Sequence, residues 1–206
     1  MSYKTEQEGF WAGEFGNEYT GRNQGETRIA SNTALFSKIL NSTNSISTII
    51  EFGANIGLNL LALKRLLPRA GLSAIEINEK AVAKLKEGIE NINVYHSSIL
   101  DFQPDKEIDL VLIKGVLIHI NPDELQNVYE LLYETSGKYI CIAEYYNPAP
   151  VEVRYRGHEG KLFKRDFAGE IMDKYPSLKL IDYGFAYHRD NNFPQDDTTW
   201  FLLEKR

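Results

Sequence analysis

Residues 51–57 read EFGANIG, and the flanks of this short stretch decide the fold. Before it, SISTII (residues 45–50) is an apolar, β-branched run of strand length; after it, LNLLALKRLL (58–67) has the length and leucine spacing of a buried helix. The stretch is therefore the turn between a strand and a helix. The same alternation continues outward. GLSAIEIN (71–78), INVYHSS (92–98), IDLVLIKG (108–115) and KYICIAEYY (138–146) are strand-like, and helix-compatible sequence separates them. Strands alternating with helices predict βαβ units and a parallel sheet. Asn78 is placed to cap the helix that follows, with Val82, Leu85 and Ile89 on its sheet-facing side.

After residue 147 the rhythm breaks. NPAPVEVRYRGHEGKLFKRDF (147–167) brings prolines, glycines and a burst of basic residues, and DFAGEIMDKY (166–175) is helical in pattern. Two last strand-like runs, LKLIDYGFAYH (178–188) and TTWFLLEKR (198–206), are joined by a link short enough for an antiparallel pair and too short for a parallel crossover. The fold class expected is α/β: five parallel strands plus a C-terminal antiparallel hairpin, with helices on both faces. At 206 residues the chain suits one domain. Residues 1–45 are expected to form a helical cap over the strand ends of a core spanning 46–206.

The net charge of −6, with basic residues spread along most of the chain, disfavours a nucleic-acid partner. No apolar run approaches the ~20 residues that span a bilayer, and the polar N-terminus does not have the form of a secretory signal, so the expectation is a cytoplasmic protein with no membrane partner. The single cysteine, Cys141, sits in an apolar run and reads as a small buried hydrophobe; it permits neither a disulfide nor a cysteine metal cluster. No metal is expected, and the oligomeric state is left open.

In a parallel α/β sheet, ligands bind beyond the carboxyl ends of the strands where strand order reverses, and the first turn forms the floor. A dinucleotide turn of the form GxGxxG needs glycines at 53, 55 and 58; the chain has Gly53, Asn55 and Leu58. A phosphate loop fails too, because no GK[ST] follows. What is present is an acid, Glu51, two residues before Gly53, a further glycine at Gly57, and a second acid, Glu76, at the end of the next strand. Two acids around a loop repel phosphate and suit a ligand with positive charge and ribose hydroxyls.

With these residues the sequence resembles the class I S-adenosylmethionine-dependent methyltransferases, whose first motif has the form ExGxGxG. The resemblance implies a Rossmann-like seven-stranded sheet and S-adenosylmethionine as cofactor. It implies that Gly53, Asn55 and Gly57 let the backbone approach the methionine portion and that Glu76, with Ile77 beside it, takes the ribose hydroxyls. In SSIL (97–100) Ser98 stands where the family usually has an acid near the adenine amine, with Ile99 offering its backbone amide and Asp101 as second choice. DLVLIKGVLIHINP resembles the fourth-strand motif and brings Lys114, which would meet the cofactor carboxylate or stay solvated. The chain also resembles, over nearly all its length, the methylases associated with pseudaminic acid biosynthesis; TEQEGFWAGEFGNEYTGRNQ, AEYYNPAPVEVRYRGHEGKLFKRDFAGE and NFPQDDTTWFLLEKR carry that likeness.

The methyl group would face the loops after the fourth and fifth strands. There His119 is the first choice of general base, with Glu144 and Tyr146 as further catalytic candidates and Tyr145 lining the acceptor pocket; the alternative for His119 is a bond to the backbone. Arg154, Arg156, His158 and Arg165 crowd into the segment after the fifth strand, and arginine's planar fork favours carboxylate and phosphate. The acceptor expected is thus a small anionic sugar-like molecule, a nonulosonic acid or its nucleotide-activated form. Trp11, Tyr19 and Arg22 are expected in a lid over the cofactor. Another metabolite, a protein-bound glycan, or a non-catalytic cofactor-binding role in a complex are the competing readings.

Overall fold

The computed structural model describes residues 3–22 and 25–206. Residues 23 and 24 of the expected cap, with residues 1 and 2, lie outside that range. One seven-stranded sheet organises the chain. Its strands are β1 (Thr48–Phe52), β2 (Gly71–Glu76), β3 (Asn93–His96), β4 (Ile108–Lys114), β5 (Ser136–Glu144), β8 (Leu178–Ala186) and β9 (Thr198–Lys205). A two-stranded ribbon, β6 (Val151–Glu152) with β7 (Phe163–Lys164), stands apart from it. The sheet order is β3-β2-β1-β4-β5-β9-β8. Strands β1 to β5 pair in parallel, while β9 runs antiparallel to both β5 and β8, so the terminal hairpin inserts its second strand beside the parallel core. Strand order reverses between β1 and β4, and that is where an open α/β sheet leaves a crevice.

The near-continuous apolar sequence of β1, β4 and β5 follows from burial on both faces. Ile50, Val111, Ile140 and Leu203 enter one core layer, with Leu125, Val128 and Leu132 of helix α6 (Leu125–Thr135) and Ile171 of α7 (Phe167–Lys174). The neighbouring residues Ile49, Leu110, Cys141 and Leu202 point the other way, as the two-residue period of a strand requires. Their layer contains α3 (Glu26–Leu40), α4 (Leu58–Leu66) and α5 (Glu79–Gly88). Cys141 is fully enclosed there, and burial pushes its thiol up to about 12.

Helix α5 starts where its sequence says it should. The Asn78 side chain accepts from the Ala81 N–H at 3.0 Å, and Val82 and Leu85 are buried, each worth ~1.5–3 kcal/mol. The N-terminal region divides in two. Helices α1 (Glu6–Ala12) and α2 (Glu14–Arg22) lie at the strand ends, but α3 is not part of a cap: Ile29, Leu35, Phe36 and Ile39 are buried with α4 in the sheet's own helical layer. Among the described residues no helix is long and apolar enough to cross a membrane.

Candidate functional site

The turn after β1 is built by three residues in the left-handed region: Gly53 (φ 73°), Asn55 (φ 50°) and Gly57 (φ 82°). Asparagine tolerates this region better than most residues with a side chain, so Asn55 sustains the turn. At Gly53 the conformation and the space both matter, because a Cβ there would lie 2.7 Å from the Val116 side chain. The turn is then tied to β2. The Gly53 and Ala54 N–H groups donate to the Ile75 carbonyl, and the Asn55 N–H donates to Glu76 Oε2 at 2.7 Å.

Glu76 Oε1 accepts from the Asn78 N–H, also at 2.7 Å. Burial pushes the Glu76 carboxyl above its ordinary range, opposed by these backbone donors. The two amides fix the plane of the carboxylate. The Ile77 amide also favours the charged carboxylate, and with two lone pairs on each oxygen the group keeps acceptor capacity beyond its backbone donors.

One cavity opens over these strand ends. It is lined by Gly53, Asn55, Glu76, Ile77, Ser98, Ile99 and Lys114, and also by His119, Glu144, Tyr145, Trp11 and Tyr19. The fold thus brings together twelve residues that the sequence nominated from six separate stretches. Among the described residues, five buried side-chain atoms with no hydrogen-bond partner belong to this wall: Gln7 Oε1, Trp11 Nε1, Asn55 Oδ1, Asn59 Oδ1 and Glu144 Oε2. An unsatisfied buried polar atom costs about 1–3 kcal/mol, so their concentration on one cavity marks a place for a polar ligand.

Glu144, at the end of β5, is 3 % exposed. Its Oε1 accepts from the Val116 and Leu117 N–H groups, both at 2.9 Å, which shapes the loop after β4. Burial pushes its carboxyl up to about 7, against the pull of those amides and of Lys114. Burial lowers Lys114 from the usual lysine range, with Asp196 the first of the charges opposing it. His119 is placed differently. Its Nδ1 lies 2.6 Å from the Lys161 carbonyl, an acceptor only, so Nδ1 carries the proton and Nε2 is the ring's acceptor. Burial holds this imidazole down at about 4, and the rings of Trp11 and Tyr155 stand 4.6 and 4.8 Å away.

Several nominated residues sit elsewhere. Glu51 lies beneath the cavity, because strand alternation turns it toward α4; its Oε1 accepts from Asn59 Nδ2 at 2.6 Å, and Asn59 is the one on the wall. Gly57 begins α4, where a Cβ would meet Ile89 at 2.9 Å. Tyr146 is exposed and faces Phe201, since the alternation that sends Glu144 inward and Tyr145 to the wall ends with the strand. Arg22 pairs with Glu18 at 3.0 Å on the outer surface. Arg154 donates to the Gly157 carbonyl, Arg156 lies over Tyr155, and His158 packs on Phe10; all three are exposed and off the cavity wall. Arg165 is paired with Glu170 at 3.2 Å. Asp101 is ion-paired with Lys4 at 2.7 Å, also off the wall.

Other wall residues had no nomination: Gln7 and Glu8 from α1, Arg28 and Asn32 from α3, Asn59 from α4, Tyr155, and Asp196 with Thr198 near β9. One signal for Glu8 does stand in the sequence. Thr5 and Glu8 have the S/T-x-x-E spacing of a capping box, and the structure forms both of its bonds.

No protein-family profile and no curated protein sequence matches the chain. Solved structures do. A magnesium protoporphyrin IX methyltransferase from Synechocystis PCC 6803, with bound SAM, superposes with a TM-score of 0.68 at 11 % identity, covering 100 % of both chains. The plantazolicin methyltransferase BpumL, in complex with SAH and a pentazolic desmethylPZN analog, gives 0.65 at 15 % identity over 97 % of this chain and 94 % of that one. The N-methyltransferase NodS from Bradyrhizobium japonicum WM9, in complex with S-adenosyl-l-homocysteine, gives 0.63 at 14 % identity over 89 % of each. Likeness at such identities speaks to architecture, and on architecture these structures agree with the strand order and terminal hairpin described above: the chain has the Rossmann-like fold of S-adenosylmethionine-dependent methyltransferases.

Proposed function

We propose that the chain is an S-adenosylmethionine-dependent methyltransferase, and that its acceptor is a small anionic sugar-like molecule, a nonulosonic acid of the pseudaminic type or its nucleotide-activated form, methylated on O or N. The observation that carries the cofactor reading is Glu76, locked by two backbone amides beside a cavity whose wall also carries five partnerless buried polar atoms. The match of fold to proteins crystallised with SAM or SAH supports it.

When bound, S-adenosylmethionine supplies a methyl group activated by a sulfonium. The chain's own residues do the rest. Glu76 keeps acceptor capacity for ribose hydroxyls, a charge-assisted arrangement worth ~1.5–3 kcal/mol per bond. Gly53 keeps the turn low enough for close backbone approach, and Lys114 at the end of β4 suits the amino-acid carboxylate. Trp11, His119, Tyr145 and Tyr155 give the far side of the cavity broad apolar faces, against which a sugar ring can pack. Holding acceptor and methyl in line supplies ~7–11 kcal/mol.

A hydroxyl acceptor must also lose a proton. Glu144 is the better base: its Oε2 is without a partner and its carboxyl is poised at about 7, whereas His119, held at about 4, is a weak one. A positioned general base contributes ~10²–10⁴-fold and works best with a pKa near the working pH. The anionic character of the acceptor rests on the resemblance and on Arg154 and Arg156, which flank Tyr155 of the cavity wall. Incubation with methyl-labelled S-adenosylmethionine and a panel of sugar nucleotides, followed by mass spectrometry, tests the whole reading. A product heavier by one labelled methyl supports it; cofactor binding with no product from any acceptor would leave a binding module.

A further inference from the structure

We propose that Glu8, on a helix outside the sheet, reads the nucleobase: its carboxylate accepts a hydrogen bond from the 6-amino group of adenine. This rests on the cavity being the S-adenosylmethionine site. Strands β1, β2 and β3 are neighbours, and adjacent strands lie about 4.8 Å apart. A nucleoside whose ribose is held at Glu76, the end of β2, therefore has its base over the end of β3. The loop there contributes Ser97, Ser98, Ile99 and Leu100 to the wall, and none of them is an acid. The nearest acid in sequence, Asp101, is off the wall and paired with Lys4.

A carboxylate nevertheless reaches this end of the cavity, from the opposite direction. Glu8 lines the wall, is 8 % exposed, and its Oε1 accepts from Ser98 Oγ. Its Oε2 is fully used within the capping box, accepting from the Lys4 and Thr5 N–H groups at 2.7 Å each and from Thr5 Oγ1 at 3.2 Å. Oε1 accepts only from Ser98 Oγ among the described residues, which leaves it a second lone pair. A carboxylate of this kind is an acceptor only. It matches an amino group and repels a carbonyl, so it separates adenine from hypoxanthine.

The consequence is structural as well. Helix α1 is held in place by Gln7 Nε2 donating to the Gly160 carbonyl at 2.9 Å and by Lys161 pairing with Glu6 at 2.5 Å. Base recognition thus depends on α1 being docked against the loop that also holds His119.

The test is calorimetric titration of wild type and Glu8→Gln with S-adenosylhomocysteine and with its inosine counterpart, S-inosylhomocysteine. Wild type is expected to prefer the adenine form by about 10- to 100-fold, the span of one hydrogen bond to a charged group. In Glu8→Gln, whose amide can donate to a carbonyl, that ratio falls at least about tenfold. Weakening of both ligands by the same factor, with the ratio unchanged, overturns the proposal and leaves Glu8 as a helix cap. If wild type binds neither ligand, the cofactor reading itself fails. Should Glu8→Gln not fold, Glu8→Asp withdraws the carboxylate by one methylene and is read by the same ratio.

Discussion

Replacing Glu51 by glutamine should stabilise the protein at alkaline pH and do little at acid pH. The side chain is 1 % exposed, one of its oxygens has no partner, and burial pushes its carboxyl up to about 8 from 4.5. The folded state therefore binds this proton more tightly than the unfolded chain does. Its contribution is fully present below the unfolded pKa of 4.5 and is lost as pH rises through about 8. Each pH unit in that window costs about 1.4 kcal/mol, so at about pH 8.5 the buried carboxylate subtracts roughly 3–5 kcal/mol. Glutamine keeps the acceptor for Asn59 and carries no such penalty. For a chain of this length each kcal/mol moves the melting temperature by about 2–4 °C, so Glu51→Gln should melt roughly 6–20 °C above wild type at about pH 8.5 and within about 3 °C at about pH 5. Thermal unfolding of both proteins across this range is the assay. A shift of equal size at both ends, or destabilisation at alkaline pH, would mean that Glu51 is ionised and held by Lys114, and the reasoning would be wrong.

Three other substitutions probe the site. Asn55→Gly should retain cofactor binding while Asn55→Val loses it, since a β-branched residue is strained at φ 50°; the reverse order in a titration would refute the turn argument. Once an acceptor is known, the pH–rate profile should show an inflection near 7 that disappears in Glu144→Gln and survives in His119→Ala. An inflection lost only with His119 would transfer the role of base to that residue. The double variant Arg154→Ala, Arg156→Ala should raise the acceptor KM by up to about fivefold, as expected for exposed charge pairs, with kcat unchanged. An unaltered KM would remove the anionic part of the acceptor proposal.

The strands and their order of use were legible because their signals are local. EFGANIG carries its turn chemistry in three residues, Asn78 announces its helix, and the short link before TTWFLLEKR permits only an antiparallel pair. What sequence could not place was anything set by long-range packing. Gln7, Glu8, Arg28 and Asp196 reach the cavity from segments far from EFGANIG in sequence, and the one local signal among them, the Thr5–Glu8 capping box, announces a helix start and not a cavity wall. Glu51 misleads for a simpler reason. It sits inside the motif, yet the period of β1 turns it to the α4 side, so Asn59 faces the cavity in its place. The basic segment also reads differently in three dimensions. The loop between β6 and β7 brings Tyr155 to the cavity wall and leaves Arg154 and Arg156 exposed, so charge dense in sequence is a rim in space.

Calorimetric titration of S-adenosylhomocysteine into wild type and Glu76→Ala tests the central claim most directly. Saturable one-to-one binding by wild type, weakened about ten- to a hundredfold or more in Glu76→Ala, is the predicted result. Wild-type affinity retained in Glu76→Ala, or protection of wild type from heat by NAD and not by S-adenosylhomocysteine, would contradict it.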